Sequence, residues 1–225
     1  MQGKLIVIEG IDGSGKATQT KKLVEYLKSC GKRVETFSFP RHGQKFFGLL
    51  VDEYLNNEFG NAASFNPKVA SLFYAGDRWE VKEMIINWLS AGKIVVLDRY
   101  ATSNMGHQLS KLETAAQKDE LLNWLIELEF KTFKIPEPDL VIFLDVDADI
   151  SSQLMAHRSS VGKEYIKGDK DGHEKDSTHM EKARATYRYL SKKFNYWQVV
   201  DCVKNGRLLS IDEIHEQICA LIKKF

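Results

Sequence analysis

The chain has 225 residues, 43% hydrophobic and 28% charged, which suits one soluble globular domain with a sizeable core. With 32 lysines and arginines against 31 aspartates and glutamates the net charge is +1, which removes the general electrostatic case for nucleic acid or an anionic membrane as partner. The three cysteines, Cys30, Cys202 and Cys219, are scattered and odd in number, no leader-like N-terminus or long apolar span is present, and the expectation is a reduced protein of the cytoplasm without a disulfide framework.

The first predicted element is a buried strand over residues 5–8, followed at once by GIDGSGKAT. Its core reads G-x-x-x-x-G-K from Gly10 to Lys16, a phosphate-binding loop whose amides and following helix N-terminus present partial positive charge to phosphate oxygens. Gly10, Gly13 and Gly15 allow the close backbone approach, and Lys16 adds a full charge near the β and γ phosphates. Ala17 stands where such loops carry the Ser or Thr that ligates Mg²⁺, although Ser14 and Thr18 remain close by. Asp12 would repel a nucleotide unless it faces a cation or a second substrate, so it is expected to point toward the acceptor. A kinase with its metal ligand elsewhere and a silent nucleotide-binding module both fit the loop taken alone.

A helix follows, with Leu23, Tyr26, Leu27 and Cys30 expected on one face and Gly31 as its stop. A mixed strand over 34–39 leads into FPRHGQ, where Arg41 suits bidentate contact with a phosphate and sits where α/β sheets bind ligands. Residues 67–92 read as one long helix with a weak point at Gly76; in it Tyr74 and Arg78, four apart, share a face that can meet a flat base. The strand over 94–97 places Asp98 and Arg99 at its carboxyl end, where a carboxylate can orient the Mg²⁺ shell. A helix over 113–130, a strand over 140–144, a polar stretch over 158–176, a strand over 197–200 and a helix over 211–225 with a Ser210/Glu213 capping box complete the chain. Strands alternating with helices predict a parallel sheet covered on both faces.

IEGIDGSGKATQT, FPRHGQ, FYAGDRWE, DRYATSN, PDLVIFLDVD and DGHEKD, in this order over nearly the whole chain, resemble the thymidylate kinase family. The resemblance implies an α/β fold of the P-loop nucleoside monophosphate kinase type: a five-stranded parallel sheet with helices on both faces, one domain over 1–225, a short lid at about 156–176 and a homodimer packed through helices. It implies phosphoryl transfer from ATP with Mg²⁺ to dTMP, with no nucleic-acid or membrane partner.

On the same ground residues Gly10, Ile11, Asp12, Gly13, Ser14, Gly15, Lys16, Ala17 and Thr18 would surround ATP. Asp12, Phe39, Pro40, Arg41, Tyr74, Arg78, Arg99, Tyr100, Ser103 and Asn104 would hold dTMP, with Phe73 the alternative to Tyr74 for stacking on the base. Lys16, Arg41, Arg99 and Arg158 would act on the transferring phosphate, Arg158 because the loop has Gly13 where another subgroup carries arginine. Asp12, Asp98 and Glu174 would serve the metal. A kinase for another pyrimidine nucleotide or a nucleoside, and a silent paralogue on the strength of Ala17, are the competing readings.

Overall fold

A computed structural model describes residues 3–62, 64–158, 177–223 and 225, with the side chains of all these except 157, 158 and 177. Strands β1 (Lys4–Glu9), β2 (Val34–Ser38), β3 (Ile94–Asp98), β4 (Leu140–Asp145) and β5 (Trp197–Asp201) form one sheet in the order β2-β3-β1-β4-β5. Every pairing in it is parallel. The five apolar runs of the sequence are these five strands.

Alternate side chains of the central strands feed two different cores, which is why the runs are continuously apolar rather than alternating. Leu5 and Val7 of β1 join Val95, Leu97, Val141 and Phe143 on one face. Ile6 and Ile8 join Val96, Ile142 and Leu144 on the other. Helices α5 (Ala101–Leu109), α6 (Ala115–Ile126) and α8 (Ser177–Lys193) cover the first face through Met105, Leu122 and Tyr187. Helices α1 (Lys16–Ser29) and α9 (Ile211–Ile222) cover the second through Leu23, Leu27, Ile214 and Ile218. Each such fully buried side chain contributes roughly 1.5–3 kcal/mol.

Helix α1 stops as its sequence suggests: Gly31 is left-handed at φ 73°, its N–H donating to Lys28 O and that of Lys32 to Leu27 O. Cys30, however, is exposed, and Val24 lies on the buried face instead. The helix expected over 67–92 is two helices, α3 (Pro67–Trp79) and α4 (Lys82–Ser90), broken at Glu80 and Val81. Gly76 is not the weak point. It stays inside α3 because Phe47 of α2 (Lys45–Leu55) lies against it, so that a Cβ there would stand 2.2 Å from the ring.

Beyond α6 the chain passes into a π-helical turn, Glu127–Thr132, which the apolar spacing did not foretell. Helix α9 has the expected capping box, Ser210 Oγ accepting from Glu213 N at 3.2 Å and Glu213 accepting from Ser210 N at 2.7 Å. A small antiparallel pair, β6 (Val203–Lys204) with β7 (Arg207–Leu208), turns through Asn205 and Gly206, both at positive φ. Asn-Gly is itself a strong local hairpin signal. Helix α7 (Ala148–Arg158) precedes the polar stretch, and the lid expected at about 156–176 lies mostly outside the described residues. Among the described residues no helix is long and apolar enough to cross a membrane.

Candidate active site

The phosphate loop leaves β1 and enters α1 at Lys16, with Gly15 at the N-cap and no side chain capping the helix. The amides of the first turn therefore point outward for an anion, as the glycine pattern requires. Lys16 is buried and its Nζ donates to Ile11 O at 2.8 Å. Burial, and then the nearby positive charge of Arg99, pull its pKa down to about 8 against the opposing pull of Asp12, Asp98 and Glu9. Ala17 is exposed, Thr18 is half-buried, and the buried Ser14 hydroxyl has no hydrogen-bond partner among the described residues. Ser151 of α7 donates to Asp12 O, closing the far side of the loop.

Beside the loop, at the carboxyl ends of β1, β2 and β3, one cavity collects nine of the residues expected at the acceptor. Asp12, Phe39, Pro40, Tyr74 and Arg78 line it together with Arg99, Tyr100, Ser103 and Asn104. Tyr74, the ring that the four-residue spacing to Arg78 favoured, faces this space, whereas Phe73 packs with Tyr54, Phe59 and Phe65. Trp79 is exposed and lies against Phe133, away from the cavity lining.

Arg99 follows β3 in a left-handed conformation, φ 66°, with its N–H donating to Ile8 O at 3.1 Å. Its guanidinium forms an ion pair with Asp12 and approaches His107 Nε2 at 3.2 Å. Burial works against that charge, but Asp12, then Tyr187, Glu9 and Asp98, outweigh it and hold the group firmly protonated. Asp98 has one buried carboxylate oxygen, Oδ1, with no partner among the described residues. Among those residues no group of three or more His, Cys, Asp or Glu is arranged to hold a metal ion.

Arg78 and Asn104 are held side by side by one carboxylate. Glu129, buried in the π-helical turn, accepts from Arg78 Nε at 3.1 Å, from Arg78 Nη2, and from Asn104 Nδ2 at 3.0 Å. Tyr100 is fully buried and its hydroxyl has no partner among the described residues; burial first, and Glu129 second, push its pKa well up. Ser103 turns its hydroxyl to Glu9, donating at 2.8 Å to Oε2, rather than leaving it open to the cavity.

Arg41 does not line the cavity. Its guanidinium is buried on α3, with Nε donating to Asp77 Oδ1 at 2.7 Å, Nη2 to Asp77 O at 3.0 Å, and Glu80 completing the clasp. FYAGDRWE thus serves two places: Asp77 and Glu80 hold Arg41 while Tyr74 and Arg78 face the cavity. Of the remaining expectations, Arg158 ends α7 with its side chain outside the described set, and Glu174 lies outside it altogether.

Sequence reasoning missed His42, His107, Gln108, Glu9 and Glu129. His107 and Gln108 are three and four residues past Asn104 on α5, a spacing that would have put them on its face. Glu9 precedes the loop inside an apolar run, where a lone carboxylate is itself a signal that partners exist.

Comparison with known proteins gives the same picture. A family model described as thymidylate kinase matches residues 8–218. The chain is 31% identical over 225 residues to a probable thymidylate kinase of Pyrococcus abyssi, covering 99% of this chain and 97% of the other. It is 33% identical over 208 residues to the thymidylate kinase of Mycobacterium tuberculosis (91% and 94% covered) and 32% identical over 222 residues to that of Homo sapiens (98% and 90% covered). A solved thymidylate kinase structure from Candida albicans superimposes with a TM-score of 0.74 at 24% identity, over 99% of this chain and 92% of that one. A fold of this topology, a phosphate loop and an arginine-lined cavity beside it, and a family match over most of its length together place the chain in the thymidylate kinase family.

Proposed function

We propose that the protein transfers the γ-phosphoryl group of ATP to dTMP, giving dTDP. The observation that carries the reading is one cavity, adjoining the phosphate loop, lined by Tyr74, Arg78 and Asn104 and also by Arg99 and Asp12. A planar base fits the first group and a phosphate dianion the second. Arg78, oriented by Glu129, is a donor for a carbonyl edge; Asn104, whose Nδ2 donates to both Glu129 and Ser71 O, offers its Oδ1 as an acceptor, and Tyr74 offers the ring face.

In the reaction so proposed the acceptor phosphate is itself the nucleophile, so the chain's work is positioning and charge neutralisation. The loop from Gly10 to Thr18 cradles the donor phosphates and Lys16 exchanges its bond with Ile11 O for a phosphate oxygen. Arg99 holds the acceptor phosphate, with Asp12 fixing the guanidinium. Arg41 is assigned to the same phosphate on family resemblance, and reaching it would mean leaving Glu80 while Asp77 keeps its backbone amide. Arg158 is assigned on the same ground to charge developing on the donor.

When bound, Mg²⁺ would supply positive charge to the donor phosphates. Asp98 fits it, because Oδ1 is buried and unpartnered at the end of β3, whereas Asp12 is committed to Arg99. We further propose one catalytic unit over residues 1–225 and a homodimer. Helices α2 and α3 pack together and leave Phe46, Leu49, Val69, Leu72 and Trp79 exposed, apolar surface of the kind a helical interface covers. The cytoplasm is the proposed compartment, since Cys30, Cys202 and Cys219 are all free thiols.

The test is an acceptor panel. Purified protein with ATP and Mg²⁺ should phosphorylate dTMP in preference to dCMP, dGMP, AMP and thymidine. Turnover of none of them would overturn the reading, and preference for another acceptor would redirect it. Sedimentation of the wild type against Leu72→Glu tests the dimer.

A further inference from the structure

We propose that Glu9 is a positioning residue for phosphoryl transfer, holding the main chain of Arg99 and the start of α5 in the arrangement that aims the Arg99 guanidinium at Asp12. This rests on the proposed activity, and Glu9 itself lies outside the lining of the cavity.

Glu9 is fully buried, the last residue of β1 and the one before the phosphate loop. Its Oε1 accepts from Tyr100 N at 3.2 Å, Thr102 Oγ1 at 2.6 Å and Ser103 Oγ at 3.0 Å. Its Oε2 accepts from Ser103 Oγ at 2.8 Å and Tyr187 Oη at 3.1 Å. Tyr100 is the N-cap of α5 and supplies no side-chain cap. Glu9, from a strand some ninety residues earlier, takes that place, and a carboxylate at a helix N-terminus is in the favourable field.

The consequence for Arg99 follows from the main chain. A non-glycine residue at φ 66° is held there only if its neighbours determine it. Ile8 O receives the N–H of Arg99, and Glu9 Oε1 receives the N–H of Tyr100. Two successive residues of β1 therefore clamp the peptide groups on either side of the Arg99 Cα. The residue after Glu9 opens the phosphate loop that carries Asp12, so one short segment sets both partners of the Arg99–Asp12 pair. Tyr187 secures the far side of the carboxylate. Its ring stacks on Phe143 and lies over Gly106, where a Cβ would stand 2.3 Å from Cζ.

Glu9→Gln keeps the shape but leaves one accepting oxygen where two now serve four donor groups. Tyr187→Phe keeps the ring and removes one donor. Both are assayed by steady-state kinetics with ATP and dTMP and by thermal melting. If the wild type does not phosphorylate dTMP, the functional reading itself fails. If it does, Glu9→Gln should raise the KM for dTMP about tenfold with the KM for ATP within about twofold, and Tyr187→Phe should act in the same direction by about threefold. Equal changes in the two KM values, or an unchanged KM for dTMP in a cooperatively melting variant, would overturn the inference. Should Glu9→Gln give no cooperative melt, the same split in Tyr187→Phe decides it.

Discussion

The guanidinium of Arg99 and the carboxylate of Asp12, 87 residues apart in the chain, form an ion pair at the wall of the cavity beside the phosphate loop. They meet because β1 and β3 are neighbours in register, Ile8 opposite Asp98, so the loop after one strand and the residue after the other emerge side by side. An acidic residue in a phosphate loop is thereby paired with a cation.

Asp12→Asn weakens this pair and leaves the loop amides and Lys16 in place. The expected result is a loss in kcat/KM for dTMP of roughly 10–100-fold, the worth of one charge-assisted hydrogen bond, with ATP affinity within about threefold. Steady-state kinetics and ATP titration calorimetry measure the two. Undiminished turnover would remove Asp12 from the acceptor site.

Lys16 predicts a pH dependence of nucleotide binding. Burial first, then Arg99, lower its pKa to about 8, so in the free protein it loses its proton as pH rises through that value. A bound phosphate favours the protonated form and raises the pKa again. ATP affinity should therefore be greatest below about pH 8, fall by at most about tenfold per unit above it, and be accompanied by proton uptake near about pH 8–9. Calorimetry on either side of that value, in two buffers of different ionisation enthalpy, would show this, and no uptake just above it would contradict it.

Arg78 and Glu129 are both buried, at 2% and 0% exposure, so neither charge has water to fall back on. Glu129→Leu alone should cost about 3–5 kcal/mol, read from the urea midpoint, because it strands a buried guanidinium. The double change Arg78→Met with Glu129→Leu should recover most of that stability while dTMP binding stays lost. Recovery of binding as well would mean that Arg78 acts only in folding.

Gly76→Ala forces a methyl group into the Phe47 ring, since a Cβ on the native backbone would stand 2.2 Å from it. About 1–3 kcal/mol of destabilisation is expected, visible as a lower melting temperature, with Phe47→Leu restoring part of it. An unchanged melting temperature would show that the ring moves aside freely.

Much of the fold was legible because its signals are local. Each strand is a short apolar run, the phosphate loop is a contiguous pattern between a strand and a helix, and Tyr74 with Arg78 reveals a shared face by spacing alone. The misreadings also have local causes. Gly76 looked like a break because glycine weakens isolated helices, yet here it admits Phe47, while the break falls at Glu80 and Val81, where Glu80 is engaged with Arg41. Cys30 had the right spacing to be buried, but it is the C-cap, where the helical face ends.

By itself, then, the sequence determined the five strands in chain order, the phosphate loop and the first and last helices, since each depends on residues adjacent in the chain. The tertiary structure decided which charges are paired. Glu129 for Arg78, Asp77 for Arg41, Asp12 for Arg99 and Glu9 for the start of α5 lie between 36 and 93 residues from their partners. A charge taken out of water needs a partner, but nothing in chain position says which one the fold will bring within reach.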